Sequence, residues 1–326
     1  MQGKLARLSL IQTLTTQDTE KSRALMTCPV CADRRVEIYV EGQNQRMTAS
    51  MVGSSRAEVY PGRILRCRGC RLGFRELRPS DTDLAQLYQE LDTQKYEAES
   101  RGRSRTARTH LSIVERYASK PGRILDVGCA SGLFLRFAMD ANWDVVGIEP
   151  SEVLARKAQE LLGQQAEIHC STLQAARLPE GSFDAITLWD LLEHVADPVL
   201  FLRLCAPLLK PRGYLFANVP DLDSVQSRIL GSRWPLLLPE HLNYFNPSSL
   251  RMCGDKAGLQ WIGFCRRPVA FSVDYILYRL GQHRTPGAPF VQRLARNLGI
   301  ANRLIWAYLG EICGVWKSQG IQAARV

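Results

Sequence analysis

Three groups of residues carry chemistry by their type and spacing. The first is cysteine. Cys28-Pro-Val-Cys31 and Cys67-Arg-Gly-Cys70 are two C-x-x-C pairs separated by 35 residues. Each pair offers two thiolates to one tetrahedral ion, the arrangement of structural zinc. A redox dithiol needs a single pair, so two pairs in one short segment favour the metal. The second group is Asp126, Gly128, Cys129, Ala130 and Gly132, with Glu149 and Pro150 further on. The third is His194, His241 and Tyr244. A histidine with a pKa near neutrality is an economical proton acceptor.

The second group sits where a parallel α/β sheet would place a ligand. Arg123–Val127 is a short apolar run, a buried parallel strand. Gly128 to Gly132 has almost no side-chain bulk, and Leu133, Phe134, Phe137 and Ala138 then recur at helical spacing. Strand, small-residue turn and helix put backbone N–H groups against a ligand. A second strand, Asp144–Ile148, ends at Glu149, where a ribose diol would be held. The turn lacks the dinucleotide spacing. Cys129 and Ser131 leave little room for a pyrophosphate, and Asp126 would repel one. A cationic ligand such as a sulfonium or an amine suits the turn better.

The rest of the chain builds around that unit. Residues 27–78 read as a zinc-ribbon module with β-prone stretches at Val36–Val40, Glu58–Tyr60 and Arg63–Cys67. About 50 residues cannot build a sufficient core alone, and the metal substitutes for one. Residues 79–120 read as helix, break and helix, with the polar break at Gln94–Arg105 and Tyr88 and Tyr96 as lid candidates. Beyond Glu149 come a helix over 152–162, a third strand at Glu167–Cys170, a loop from Ser171, and a fourth strand at Phe183–Trp189. Asp190 and His194 follow that strand. A helix over 198–209, a fifth strand at Tyr214–Val219, a long irregular stretch to Pro239, a helix over 248–257 and a sixth strand at Leu259–Arg266 complete the order. Val273–Leu280 and Phe290–Trp316 read as amphipathic helices. Ile305, Trp306, Tyr308, Leu309, Ile312 and Trp316 form their apolar stripe. Gly320–Val326 would be the closing strand. The domain reading is therefore a leader over 1–26, the zinc module over 27–78, a helical lid or linker over 79–120, and a catalytic domain over 121–326 with a helical insertion over 273–316.

Asp126, Gly128, Ala130 and Gly132 resemble motif I, D-x-G-x-G-x-G, of the class I S-adenosylmethionine (SAM) methyltransferases, with alanine at the central glycine. Trp189-Asp-Leu-Leu-Glu-His-Val195 resembles the motif after the fourth strand in the group that includes the ubiquinone-biosynthesis O-methyltransferases. Pro239-Glu-His-Leu-Asn-Tyr-Phe245 resembles a motif in enzymes of sugar, polyketide and surface-polysaccharide pathways. The resemblance implies a seven-stranded, mostly parallel Rossmann-like sheet. It implies SAM contacts from Asp126, Gly128, Cys129, Ala130, Gly132, Glu149, Pro150, Thr172, Leu173, Trp189 and Asp190. The aspartate that commonly reads the adenine amino group after the third strand is replaced here by Ser171 and Thr172, so a hydroxyl or the backbone must serve.

Methyl transfer needs the acceptor held in line with the methyl, water excluded, and a proton taken if the acceptor is a hydroxyl. His241 is our candidate base, with Tyr244 orienting the acceptor and His194 as the other candidate. The favoured reading is a SAM-dependent methyltransferase acting on a small-molecule hydroxyl of a sugar, sugar nucleotide or natural product. The alternative is an RNA methyltransferase that uses the zinc module to hold RNA, as some bacterial rRNA guanine methyltransferases carry a cysteine-rich module. A non-catalytic binding module is disfavoured by the intact Asp126 and Glu149.

Charge is unevenly spread. The net +10 divides into +7 over residues 1–120, −5 over 121–250 and +8 over 251–326. Solvated arginine-rich helices account for the flanks, and a polyanionic partner would also fit them. No run of about 18 uncharged apolar residues exists, which argues against a spanning helix. The first residues lack a continuous apolar signal core, Met26 is a candidate start, and a cytoplasmic location is expected. Ten cysteines in such a setting read as metal ligands and free thiols. For the stripe near residues 290–316, a packed insertion is favoured over an interfacial membrane helix.

Overall fold

The computed structural model describes residues 27–42, 62–78, 100–118, 120–282 and 287–320. The expected leader, the strand at Glu58–Tyr60, the lid tyrosines Tyr88 and Tyr96, and the closing strand at Gly320–Val326 lie wholly or almost wholly outside them.

Seven strands form the central sheet. Parallel β4 (Arg123–Val127), β5 (Asp144–Ile148), β6 (Glu167–His169), β7 (Phe183–Trp189) and β8 (Leu209–Pro220) are joined by antiparallel β13 (Glu311–Ser318) and β10 (Leu259–Cys265) in the order β10-β13-β8-β7-β4-β5-β6. The parallel strands read as continuous apolar runs because helices cover both faces. The fourth and fifth strands carry Ile186, Leu188, Leu215, Phe216 and Ala217, all fully buried. Helices α1 (Ser100–Tyr117), α2 (Leu133–Asp140), α3 (Glu152–Leu162), α4 (Pro198–Cys205), α5 (Val225–Leu230) and α6 (Pro247–Lys256) connect them. Asn246 caps α6 by a reciprocal pair of bonds with Ser249, and Pro247 follows at the first turn.

The zinc-ribbon module carries β1 (Val36–Val40), β2 (Ile64–Cys67) and β3 (Gly73–Arg75). Its sheet does not end there. β9 (Asn243–Tyr244), from the long segment after β8, pairs antiparallel with β3 through Gly73 opposite Tyr244 and Phe74 opposite Asn243. Leu65, Leu72 and Phe74 then pack into the same apolar cluster as Phe245, Leu250 and Leu188. Burying a phenylalanine contributes about 2–3 kcal/mol, so this joint is a stabilising one.

Three expectations are corrected. The polar stretch through Arg103 and Arg105 is helical, inside the single 18-residue α1. Arg-rich sequence has good helix propensity, and Ala107, Leu111, Ile113 and Val114 bury one face. The stripe at 305–316 is not a helix. Of the expected Phe290–Trp316 helix, the part up to Asn297 is helical, in Ala288–Asn297 (α8), and Leu304–Ala307 (β12) and β13 are strands. β-branched and aromatic residues there obey the strand period, and Gly299 and Gly310 at positive φ punctuate it. The closing strand is therefore Glu311–Ser318. The insertion runs between β10 and β13 as β11 (Val269–Ser272), α7 (Val273–Gln282), α8 and β12, with β11 and β12 paired.

Candidate active site

The motif I turn adopts a run of left-handed residues: Gly128 at φ 77°, Ala130 at 49° and Gly132 at 78°. A Cβ at Gly132 would lie 3.0 Å from Leu162 Cδ1 and 3.1 Å from Ala158 Cβ, so the turn needs glycine to close on α3. The amides of Gly128 and Cys129 donate to Ile148 O at 2.8 and 3.0 Å, which ties the turn to the end of β5. Glu149 is buried and completes the tie. Its Oε2 accepts from Ala130 N at 3.0 Å and its Oε1 from Ser151 N at 2.8 Å. Each oxygen keeps a lone pair for a ribose hydroxyl. Pro150 continues from Glu149 into the loop before α3.

Asp126 lies at the heart of this turn. It is 3% exposed, and Thr187 Oγ1 donates to its Oδ1 at 2.7 Å. Burial pushes its carboxyl up to about 7, and Glu149 adds repulsion. An acid held in this state gains a charge partner when a cation is seated beside it.

Trp189 and Asp190 close β7. His110, from α1, stacks on the Trp189 ring with centroids 4.0 Å apart, and Phe134 meets it edge-on at 5.4 Å. The sequence left His110 without context; here it is the group by which α1 covers the strand end. Asp190 adopts φ 52°, and Asn218 Nδ2 donates to its Oδ1 at 2.7 Å. Asn218 also reaches Glu311 Oε2 at 3.5 Å, and burial raises Glu311 to about 8. Asn218 and Glu311 were missed because they meet Asp190 only once β8 and β13 pair. Thr172 is exposed, Leu173 is buried, and the buried Ser171 Oγ has no hydrogen-bond partner among the described residues. Trp189 Nε1 is likewise buried and unpartnered. These orphaned polar atoms at the ends of β6 and β7 leave hydrogen bonds for a polar ligand to complete.

The histidines meet behind this edge. His194 and His241 contact edge to face, with ring centroids 4.8 Å apart. His194 Nδ1 donates to Glu240 O at 3.2 Å, and His241 Nδ1 donates to Leu236 O at 2.9 Å. A carbonyl can only accept, so both Nδ1 atoms carry the proton and both Nε2 atoms carry the lone pair. Desolvation holds His194 down to about 4 and His241 well below its ordinary value, with His194 adding to the second shift, so neither has the near-neutral pKa expected from the sequence and both stay neutral. Glu193 Oε1 lies 4.0 Å from His241 Nε2. Burial raises Glu193 well above the usual carboxylate range. The ligand atoms of Glu193, His194 and His241 all fall within 4.8 Å of one another, a set that could also hold a metal ion. Tyr244 is not placed beside an acceptor. It is fully buried, and its hydroxyl donates to Leu238 O at 3.1 Å, so it anchors the segment carrying His241.

The four zinc-module cysteines converge as the spacing required, with all four Sγ atoms within 4.8 Å. Cys28 and Cys70 sulfurs lie 3.5 Å apart, and Cys31 and Cys67 sulfurs 3.3 Å apart. Gly69 N donates to Cys67 Sγ at 3.3 Å, a bond that supports thiolate. A tetrahedral Zn–S bond of about 2.3 Å requires S···S separations close to these.

A methyltransferase-domain family profile matches residues 99–262. Over 166 residues the chain is 31% identical to a ubiquinone biosynthesis O-methyltransferase of Chromobacterium violaceum, spanning 46% of this chain and 69% of that protein. A protein of the same name from Nitrosospira multiformis is 29% identical over 187 residues, covering 53% and 76%. Among solved structures, a SAM-dependent methyltransferase from Archaeoglobus fulgidus is similar at TM-score 0.46 and 17% identity, covering 66% of this chain and 94% of that one. The chain belongs to the class I SAM-dependent methyltransferases. The matched segment holds the motif I turn, Asp126, Glu149, Asp190, Glu193 and both histidines, and the zinc module and Glu311 lie outside it.

Proposed function

We propose that this enzyme methylates a hydroxyl of a small-molecule acceptor: a sugar, a sugar nucleotide or a natural product. The observation that carries this reading is the pair of histidines gathered beside Glu193, shortly after the strand that ends at Trp189. The ubiquinone-biosynthesis relatives bear the name of O-methyltransferases, which agrees with a hydroxyl acceptor.

SAM supplies an electrophilic methyl on a sulfonium. In our reading Glu149 holds the ribose, and the turn at Gly128 to Gly132 abuts the donor's amino-acid end. Leu173 packs at the adenine, Thr172 and Ser171 offer it hydroxyl or backbone groups, and Asp126 offsets its positive charge. His241 takes the acceptor proton at Nε2, with half-buried His194 as the other candidate. Glu193 is the group whose ionised form would offset charge on that ring. Cys28, Cys31, Cys67 and Cys70 hold a structural Zn²⁺, which supplies rigidity and no reaction step, because a closed four-thiolate site leaves no open position.

An RNA acceptor finds less support. Arg66 and Arg71 of the zinc module both bind Asp223, at 2.5 and 2.9 Å, and Arg63 pairs with Glu76. These cations are spent within the protein rather than presented to phosphates.

Transfer of radiolabelled methyl from SAM should be measured against sugar nucleotides, phenolic natural products and total RNA. Label in a small-molecule fraction supports the reading, and label confined to RNA overturns it.

A further inference from the structure

The insertion between β10 and β13 presents an apolar stripe to water. Phe290, Leu294 and Leu298 recur at four-residue spacing on and just beyond α8, with Val291 beside them. Phe290 is 71% exposed, Leu298 64%, and Leu294 and Val291 nearly half. The packing side of the helix flanks this stripe. Ala295 is buried, and Gln292 Nε2 donates to Asp274 Oδ1 at 3.2 Å. A surface helix of a folded domain ordinarily turns its apolar face inward. This one turns it outward. On the same insertion, Ile305 and Trp306 of β12 are also about half exposed.

The charge of this segment names the partner. Residues 275–310 contain Arg279, Arg284, Arg293, Arg296 and Arg303 and no Asp or Glu. Arg293 and Arg303 are exposed, and Arg296 is exposed while pairing with Asp274. A second copy would bring the same cations together and be repelled. An anionic bilayer answers both features, because it offers negative headgroups above an apolar interior. Phenylalanine, leucine and tryptophan beside arginine are the side chains of an interfacial helix, not of a spanning one. No described helix is long and apolar enough to cross a membrane.

We propose that α8, in the insertion that also carries β12, is a peripheral docking surface for anionic membrane, and that Phe290, Leu294 and Leu298 enter the headgroup–acyl boundary. The insertion lies against the helix that covers the strand ends, since Ala270 N of β11 donates to Thr106 Oγ1 of α1 at 3.4 Å. Docking would therefore hold that side of the enzyme at the lipid surface.

The full chain should be sedimented with vesicles of equal parts phosphatidylglycerol and phosphatidylcholine, and with phosphatidylcholine alone. We expect binding to the anionic vesicles, weakened roughly tenfold or more on pure phosphatidylcholine or in high salt. F290E/L294E should lose binding, and R293Q should weaken it severalfold, with circular dichroism and S-adenosylhomocysteine affinity unchanged. Absence of binding to anionic vesicles, or binding indifferent to F290E/L294E, overturns the proposal. A homodimer in analytical ultracentrifugation that F290E/L294E dissolves would also overturn it and assign the face to self-association.

Discussion

The guanidinium of Arg75, on the last strand of the zinc module, grips the backbone of His241. Arg75 Nε donates to His241 O at 3.0 Å, and Nη2 donates to Leu238 O at 2.9 Å. Arg75 is 1% exposed, so these carbonyls have no ready water to replace it. The N-terminal module thus fixes the position of a residue nearly 170 positions away in sequence. Substituting Arg75→Met should leave His241 O short of a donor, at about 1–3 kcal/mol, and Leu238 O with the Tyr244 hydroxyl in place of two donors. A fall in the urea midpoint with a larger loss of turnover than of S-adenosylhomocysteine affinity is expected. Full turnover in a folded R75M would show that the grip does not matter to the site.

Removing His241 tests the proton acceptor. His241→Ala should lower turnover by roughly 10²-fold or more while S-adenosylhomocysteine affinity stays within severalfold. Isothermal titration and steady-state kinetics read the two separately. If His194→Ala alone produces the loss, the half-buried histidine is the base and its neighbour a spacer.

Glu149→Ala tests the proposed donor site. Glu149→Ala removes both the bond to Ala130 N and the acceptor for a ribose hydroxyl. A loss of about 1.5–3 kcal/mol per charged hydrogen bond corresponds to at least a tenfold weaker S-adenosylhomocysteine complex. Calorimetry showing native affinity in E149A would place the ribose elsewhere.

Chelation tests the cysteine cluster. Metal analysis should find about one zinc per chain, and Cys67→Ser should reduce it. Because Asn246 Nδ2 donates to Cys70 O and β3 pairs with β9, loss of the ion should loosen the 238–246 segment as well. Hydrogen exchange should show faster opening there than in β4 and β7. Uniform protection after chelation would contradict a structural metal.

Acidity gives a fourth handle on the same site. Asp126 and Glu311 titrate near about 7 and about 8 in the fold, so the folded chain holds protons that the unfolded chain has released above the usual carboxylate range. Stability therefore falls as pH rises through that window. His110 and His194 act oppositely. They titrate near about 3 and about 4, so their contribution is present above about 6.5 and is lost as pH falls from there. From pH 6.5 to 8.5 the carboxyls lower stability, while Cys265, brought down to about 7 by its Cys313 hydrogen bond, acts oppositely; in a Cys265→Ser background the ligand-free urea midpoint should decline. The limit is about 1.4 kcal/mol per pH unit for each group. Glu311→Gln should flatten the upper part of that decline, and a level profile in the C265S background would show both acids to be solvated.

The motif I turn, the strand order up to β10 and the cysteine set were legible because each depends on local patterning. Asp126, Gly128 and Gly132 announce a turn through residue type alone, and paired cysteines announce a metal through spacing. Asn218 and Glu311 were not legible, since they reach Asp190 only across strands joined by a distant antiparallel pairing. Tyr244 was misplaced for a related reason. Its motif suggested a pocket, whereas β-pairing to Gly73 buries it. The 305–316 stripe failed through its period, because a short amphipathic run fits a helix or a strand until its neighbours are known.

The shared strand pair of Gly73 with Tyr244 sets an order for biosynthesis. The cysteine module emerges from the ribosome first, yet one rim of its sheet stays bare until most of the catalytic domain has been translated. Cutting the chain between the two would leave each fragment with an open seam. The module is a staple that closes only once Asn243–Tyr244 has been made, so its sheet is completed by the domain it serves.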